Sequence, residues 1–265
     1  MSIVIISVLA GCAVLAPILA PHDPTSIHMS RARLPPGADW AYPLGTDVLG
    51  RDILSRLIFG ARSTMFISLV ALGSGAVLGT TIGLIAGYFG GAVDKLAMRA
   101  ADAVNGFPNI LVAAVVVVIL GTGTATIVAA VSLTVWARFA RMIRGDVLSI
   151  KEMDYVTAAR IAGLSPFAII RRHIFPGTIN TLMVITSLMM GQVILLEASL
   201  GFLALGLPPG APAWGIMVAE GRDVIVDMWW LSVLPGIAIS AVVLAFNFFG
   251  DWLRDALDPK LRRVR

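Results

Sequence analysis

Cysteine occurs once, at Cys12, and histidine three times, at His22, His28 and His173. One cysteine cannot close an intrachain disulfide, and in an apolar run its thiol reads as a small hydrophobe. The histidines stand in no H-E-x-x-H spacing and beside no carboxylate cluster, so no metal centre is expected. None falls within a long apolar run, which leaves an intramembrane hydrolase without a base. No G-x-x-x-x-G-K-[ST] loop occurs, and no G-x-G-x-x-G opens a strand-to-helix unit, so ATP hydrolysis by that route is not expected of this chain.

Charge is scarce as well. Charged residues make up 14% of the 265 residues, against about 25% in soluble domains. Hydrophobic residues reach 58% and the mean hydropathy is +0.89, which marks an integral membrane protein. The net charge of +4 gives little support to nucleic-acid binding; what matters in a membrane protein is which loops carry Lys and Arg.

A bilayer core of about 30 Å takes around 20 apolar residues per helix. Six segments qualify, over approximately 2–20, 65–88, 108–121, 123–143, 178–205 and 230–250. The third is short, and Gly121-Thr122-Gly123 predicts a tight helical hairpin to the fourth. The first lacks the basic start and the small-residue cleavage site of a signal peptide, and Met1 abuts it, which suggests a missing short tail. One set of loops holds Lys95, Arg99, Arg138, Arg141, Arg144, Lys151, Arg160, Arg171, Arg172, Arg254, Lys260, Arg262, Arg263 and Arg265; the other holds only Arg31, Arg33, Arg51, Arg56, Arg62 and Arg222. The richer set is expected to face the cytoplasm, together with both termini.

Helix two carries Ala71, Gly75, Gly79, Gly83 and Gly87, a small residue at every fourth position. Such a row lets a second helix approach backbone to backbone, although the sequence does not name that helix. Glu197 is the one carboxylate expected inside a span, either on a candidate translocation path or hydrogen-bonded to a neighbouring helix. Glu220, Asp223 and Asp227 read as a solvated face before helix six, with contact to an extracytoplasmic partner as the alternative.

Between helices four and five lies a polar island, Asp154-Tyr155-Val156-Thr157-Ala158-Ala159-Arg160-Ile161-Ala162-Gly163-Leu164-Ser165-Pro166, running on to Arg171-Arg172-His173-Ile174-Phe175-Pro176. Ala158 and Ala159 favour helix, Gly163 suits a left-handed terminator, and Ser165-Pro166 is an N-cap with proline at the first helical position. Two short helices joined by a tight turn are expected, with apolar Tyr155, Leu164, Phe167, Ile169 and Ile170 beside Arg160, Arg171 and Arg172. The residues themselves leave two occupants open, a groove on a partner protein or an anionic lipid surface.

The island resembles the coupling loop of binding-protein-dependent ABC importer permeases, whose pattern is E-A-A, three residues, G, nine residues, I-x-L-P. Ala158, Ala159, Gly163 and Pro176 fit that spacing, while Thr157 replaces the glutamate, His173 the isoleucine and Phe175 the leucine. Further stretches are similar to the second permease of the dipeptide, oligopeptide and nickel importer group. They are Gly45-Thr46-Asp47-Val48-Leu49-Gly50-Arg51-Asp52 with Ser55-Arg56, Gly87-Tyr88-Phe89-Gly90-Gly91 with Asp94, Glu197-Ala198-Ser199-Leu200-Gly201-Phe202-Leu203, Pro208-Pro209 with Trp214-Gly215, and Gly250-Asp251-Trp252-Leu253-Arg254-Asp255-Ala256-Leu257-Asp258-Pro259. Gly177 stands where asparagine is common and Gly201 where serine is common.

The resemblance implies an all-α polytopic fold of the type I ABC importer permease, with six transmembrane helices. It divides the chain into a first transmembrane helix (1–22), an external loop (23–64), a transmembrane domain (65–250) with its coupling loop at 144–177, and a cytoplasmic tail (251–265). It further implies a prokaryotic inner-membrane location and four kinds of neighbour: a second homologous permease in a heterodimer, two cytoplasmic ATPase subunits, an extracytoplasmic solute-binding protein and the lipid bilayer. ATP and Mg would be held by the ATPases, with no cofactor on this chain and no enzyme activity of its own. Tyr155, Thr157, Ala158, Ala159, Arg160, Gly163, Leu164, Ser165, Pro166, Phe167, Arg171, His173 and Pro176 form the expected ATPase-coupling set, pivoting at Gly163. The expected cargo is a dipeptide or oligopeptide, with nickel or another small peptide-like solute as the alternative. An ion-coupled carrier working alone would need a coupling-ion site, for which the spans offer only Glu197. A non-transporting scaffold would need no substrate path.

Overall fold

The computed structural model describes residues 2–257. In chain order its helices are α1 (Ser2–Leu19), α2 (Ile53–Phe89), α3 (Gly91–Asn105), α4 (Asn109–Leu120), α5 (Thr124–Ile150), α6 (Asp154–Ile161), α7 (Pro166–Ile169), α8 (Phe175–Phe202), α9 (Trp214–Arg222) and α10 (Trp230–Leu257). The described residues contain no strand, only an isolated bridge between Thr46 and Asp52, so the fold is all-α as expected. Five helical stretches are long and apolar enough to cross a bilayer, with Pro166–Phe202 counted as one, and a sixth crossing requires α3 and α4 together.

Several boundaries differ from the hydropathy reading, for reasons the packing makes plain. Helix two begins at Ile53, well before residue 65, because the Asp52 side chain accepts hydrogen bonds from Leu54 and Ser55 N–H and caps it. The third segment is a bent pair: α3 and α4 meet at 91°. At 12 residues, α4 is about 18 Å long and cannot cross a bilayer core alone. Arg138, Arg141 and Arg144 lie on α5 rather than in the loop that follows it. Pro176 does not end a helix, since Pro166–Phe202 is one helical run with a π turn at Ile170–Ile174. In that turn Phe175 N–H donates to Ile170 O, and the widened backbone accommodates a proline ring that an α-helix interior would crowd. At the other end α10 continues past residue 250 to Leu257, whereas Lys260, Arg262, Arg263, Arg265 and the Asp258-Pro259 end of the resemblance lie outside the described residues.

The central contact joins α2 and α5, which run parallel. The row Ala71, Gly75, Gly79, Gly83 and Gly87 faces α5, so its partner is internal to the chain. A Cβ at Gly79 would stand 2.2 Å from Trp136 O, and one at Gly83 2.6 Å from Ala140 O. No side chain fits there, and the close approach supplies dispersion contacts that lipid cannot offer as a hydrophobic drive. Around this seam α1 packs on α2 and α10 through buried Leu9 and Ala16, and α8 lies against α2, α5 and α10.

Candidate functional site

Helix α6 ends in a Schellman turn. Gly163 adopts φ +77°, its N–H donates to Arg160 O at 3.1 Å, and Leu164 N–H donates to Ala159 O at 3.2 Å. Left-handed backbone suits glycine, and Leu164 packs back towards the helix as this motif favours. Ser165 Oγ then accepts from Ala168 N–H at 3.3 Å, with Pro166 in the first turn, and the chain enters the long run to Phe202. The expected pair of short helices is therefore one short helix, one turn and the start of a long one. That joins α6 directly to the start of the long run through a single turn.

Two inward residues anchor α6. Val156 and Ala159 are buried with Ile143, Val147, Ile150, Ile169 and Ile174, and Leu164 packs against that cluster. Tyr155 Oη adds a hydrogen bond to His173 O at 3.4 Å. Of the expected contact residues, Ala159 thus faces the chain's own core and Leu164 is half-buried, which corrects their assignment to an outer surface. Tyr155, Thr157, Ala158, Arg160, Ser165, Pro166, Phe167, Arg171 and Pro176 are exposed. Ile161, overlooked in the sequence, is 83% exposed and Phe167 is 73% exposed. The period-3 spacing of Val156 and Ala159 carried the missing signal, because burying that face turns Ile161 outward.

Close to this loop, polar contacts tie α3 and the end of α2 to α5. Arg144 clamps Asp94 through two parallel bonds, Nε to Oδ1 at 2.5 Å and Nη2 to Oδ2 at 2.6 Å. Arg141 pairs with Asp102, and Lys151 Nζ donates to Gly87 O at 3.1 Å. Bidentate geometry makes the Arg144 clamp the most directional of the three.

Glu197 is 3% exposed on α8 and accepts from Thr64 Oγ1 on α2 at 3.2 Å. It faces a helix contact inside the chain, the hydrogen-bonded placement of the two expected for it.

At the opposite end α9, unseen in the sequence, wedges between α2, α8 and α10. Trp214 Nε1 donates to Leu57 O at 2.9 Å, and a Cβ at Gly215 would stand 2.2 Å from Ala198 O. Glu220 of α9 accepts from Arg51 Nη2 at 3.0 Å and Arg56 Nη1 at 2.7 Å, while Asp47 accepts from the same two arginines. Arg51, Arg56 and Asp47 are buried, so Glu220 is an ion-pair partner rather than part of a solvated face. Asp223 and Asp227 are exposed, and Asp223 pairs with Arg222. Asp52 also reaches His22 Nδ1 at 3.3 Å, and the His22 ring stacks on Tyr42. Asp23 accepts from the Thr25 hydroxyl and N–H, which hold its carboxyl below the ordinary carboxylate range.

A bundle of long apolar helices, tied by buried ion pairs at one end and presenting an exposed apolar helical turn at the other, defines a polytopic membrane protein. The comparisons make the class specific. The model of the family described as binding-protein-dependent transport system inner membrane component matches residues 79–263, and the chain belongs to that family. It is 41% identical to the glutathione transport system permease protein GsiD of Pectobacterium atrosepticum, over 96% of this chain and 84% of that one. It is 39% identical to the dipeptide transport system permease protein DppC of Bacillus subtilis, over 95% and 78%, and 40% identical to the di/tripeptide permease DppC of Pseudomonas aeruginosa, over 96% and 85%. Among solved structures, one titled as an amino acid ABC transporter with histidines matches with a TM-score of 0.58 at 16% identity, over 77% of this chain and 95% of that one. That likeness shows the permease fold.

Proposed function

We propose that this chain is one of two homologous permeases in an ATP-driven importer of small peptides, with α6 and its Schellman turn as the element that receives force from a cytoplasmic ATPase. The observation that carries the reading is the uncovered surface of that element: Tyr155, Arg160 and Ile161 on α6 stand exposed, as do Phe167 and Arg171 past the turn, while Val156 and Ala159 anchor the helix inward. An apolar face rimmed with cations fits a groove on a partner. Closure of the ATPases, which bind ATP and Mg, moves α6; Gly163 passes the motion to the run Pro166–Phe202, and α8 carries it across the membrane. The side bearing α6 is cytoplasmic, with both termini, and the side bearing α9 receives the loaded binding protein. Peptide cargo is supported by the relatives, whose names specify glutathione, dipeptides and di/tripeptides.

The test is reconstitution of this chain with its second permease, ATPases and binding protein in proteoliposomes. ATP-dependent accumulation of alanyl-alanine is expected, lost when the ATPases are omitted. Accumulation driven by an ion gradient without ATP would instead make the chain a secondary carrier.

A further inference from the structure

Arg138 sits near the middle of α5, with 14 and 12 residues of helix on either side, roughly 20 Å from each end. A guanidinium at such depth is costly, and faces a protein interior or a wet cavity where it is retained for function. Its neighbours on the same helix have carboxylates, Asp102 for Arg141 and Asp94 for Arg144. Arg138 has none among the described residues; its partner is the neutral side-chain amide of Gln192 on α8.

Both side chains line an open cavity of about 590 Å³ between α5, α8 and the break that separates α3 from α4. Its other polar lining is Asn105, Asn109 and Arg141, and it contains no acidic side chain, so Arg138 leaves it one unneutralised positive charge. Volumes of roughly 300–1,000 Å³ hold a small organic ligand. A planar guanidinium recognises a carboxylate through two parallel hydrogen bonds, and carboxamides supply donors and acceptors for peptide groups.

We propose that this cavity is a substrate station within the membrane, where Arg138 exchanges its bond to Gln192 for the C-terminal carboxylate of the passing peptide. The proposal deepens the peptide-importer reading and rests on it. A free peptide carries that carboxylate whatever its side chains, so a single fixed cation serves a broad range of sequences.

The experiment uses the complete importer in proteoliposomes, with the binding protein loaded in turn with alanyl-alanine and with alanyl-alanine amide. Uptake is counted per ATP hydrolysed for wild type, Arg138→Gln and Arg138→Lys. Arg138→Gln keeps a polar side chain but no charge, and should lower alanyl-alanine uptake about tenfold while changing amide uptake less than about twofold, as expected for loss of a charge-assisted bond. Arg138→Lys should recover most of the alanyl-alanine uptake. Equal losses for the two probes would place the charge against the partner permease and overturn the proposal, as would unchanged uptake by Arg138→Gln. Failure of the wild-type complex to carry alanyl-alanine at all would overturn the peptide reading itself, an outcome distinct from failure of the station.

Discussion

The two ends of the bundle hold their short helices in opposite ways. At the α9 end, Arg51, Arg56, Asp47 and Glu220 join residues more than 160 positions apart in sequence, and Trp214 and Gly215 lock the same helix by close contact. At the α6 end, the short helix is held by Val156, Ala159 and the Tyr155–His173 bond, while Ile161 and Phe167 remain uncovered. The short helix at one end is locked by buried ion pairs and close contacts, and the one at the other end leaves apolar side chains uncovered. The proposed coupling role uses this asymmetry, because an exposed element is displaced only where few contacts oppose it.

That contrast can be broken most severely at the α9 end. Arg56→Met leaves Asp47 and Glu220 sharing Arg51 alone, and should destabilise the chain by about 3 kcal/mol in denaturant titrations in detergent, because two adjacent carboxylates are left with a single counter-charge. An intermediate effect belongs to the pivot. Gly163→Val places a branched side chain at φ +77° with no neighbour to clash, so the cost is backbone strain of about 1–2 kcal/mol. Uptake by that variant should fall while membrane insertion is retained, and wild-type uptake would remove Gly163 from the coupling route. Ser165→Ala deletes the N-cap of the long run and should cost about 1 kcal/mol, read as faster amide exchange at Phe167 and Ala168. The smallest change in stability is expected from Ile161→Asp, below about 0.5 kcal/mol since the side chain touches solvent. It should nevertheless release the ATPase on purification; stoichiometric ATPase retained by this variant would mean that the exposed face is not the docking surface.

Local features were legible in the chain where the physics is local. The Gly163 terminator, the Ser165-Pro166 cap and the helix over the two alanines all depend on residues within one turn, and each lies where those residues place it. The row from Ala71 to Gly87 announced a close contact through spacing alone, yet only folding showed that α5 fills it. Hydropathy failed wherever a charge was answered from far along the chain. Arg56 in α2 is answered by Glu220, and Arg144 in α5 by Asp94, so helices extend through residues that an averaged scale treats as loop. Arg138 was counted among the loop cations although the apolar segment 123–143 contains it, and only the helix shows that it lies near the middle of α5.

The sequence by itself determined that this is a helical membrane protein, and where its α6 loop turns and is capped, because apolar run length and turn chemistry act between near neighbours. Tertiary structure alone decided which way those residues point: Ala159 inward and Ile161 outward, Glu197 against Thr64, Glu220 into an arginine pair, Arg138 into a cavity. Those choices depend on groups brought together from distant parts of the chain, and a buried charge or an exposed apolar face has meaning only once its surroundings exist.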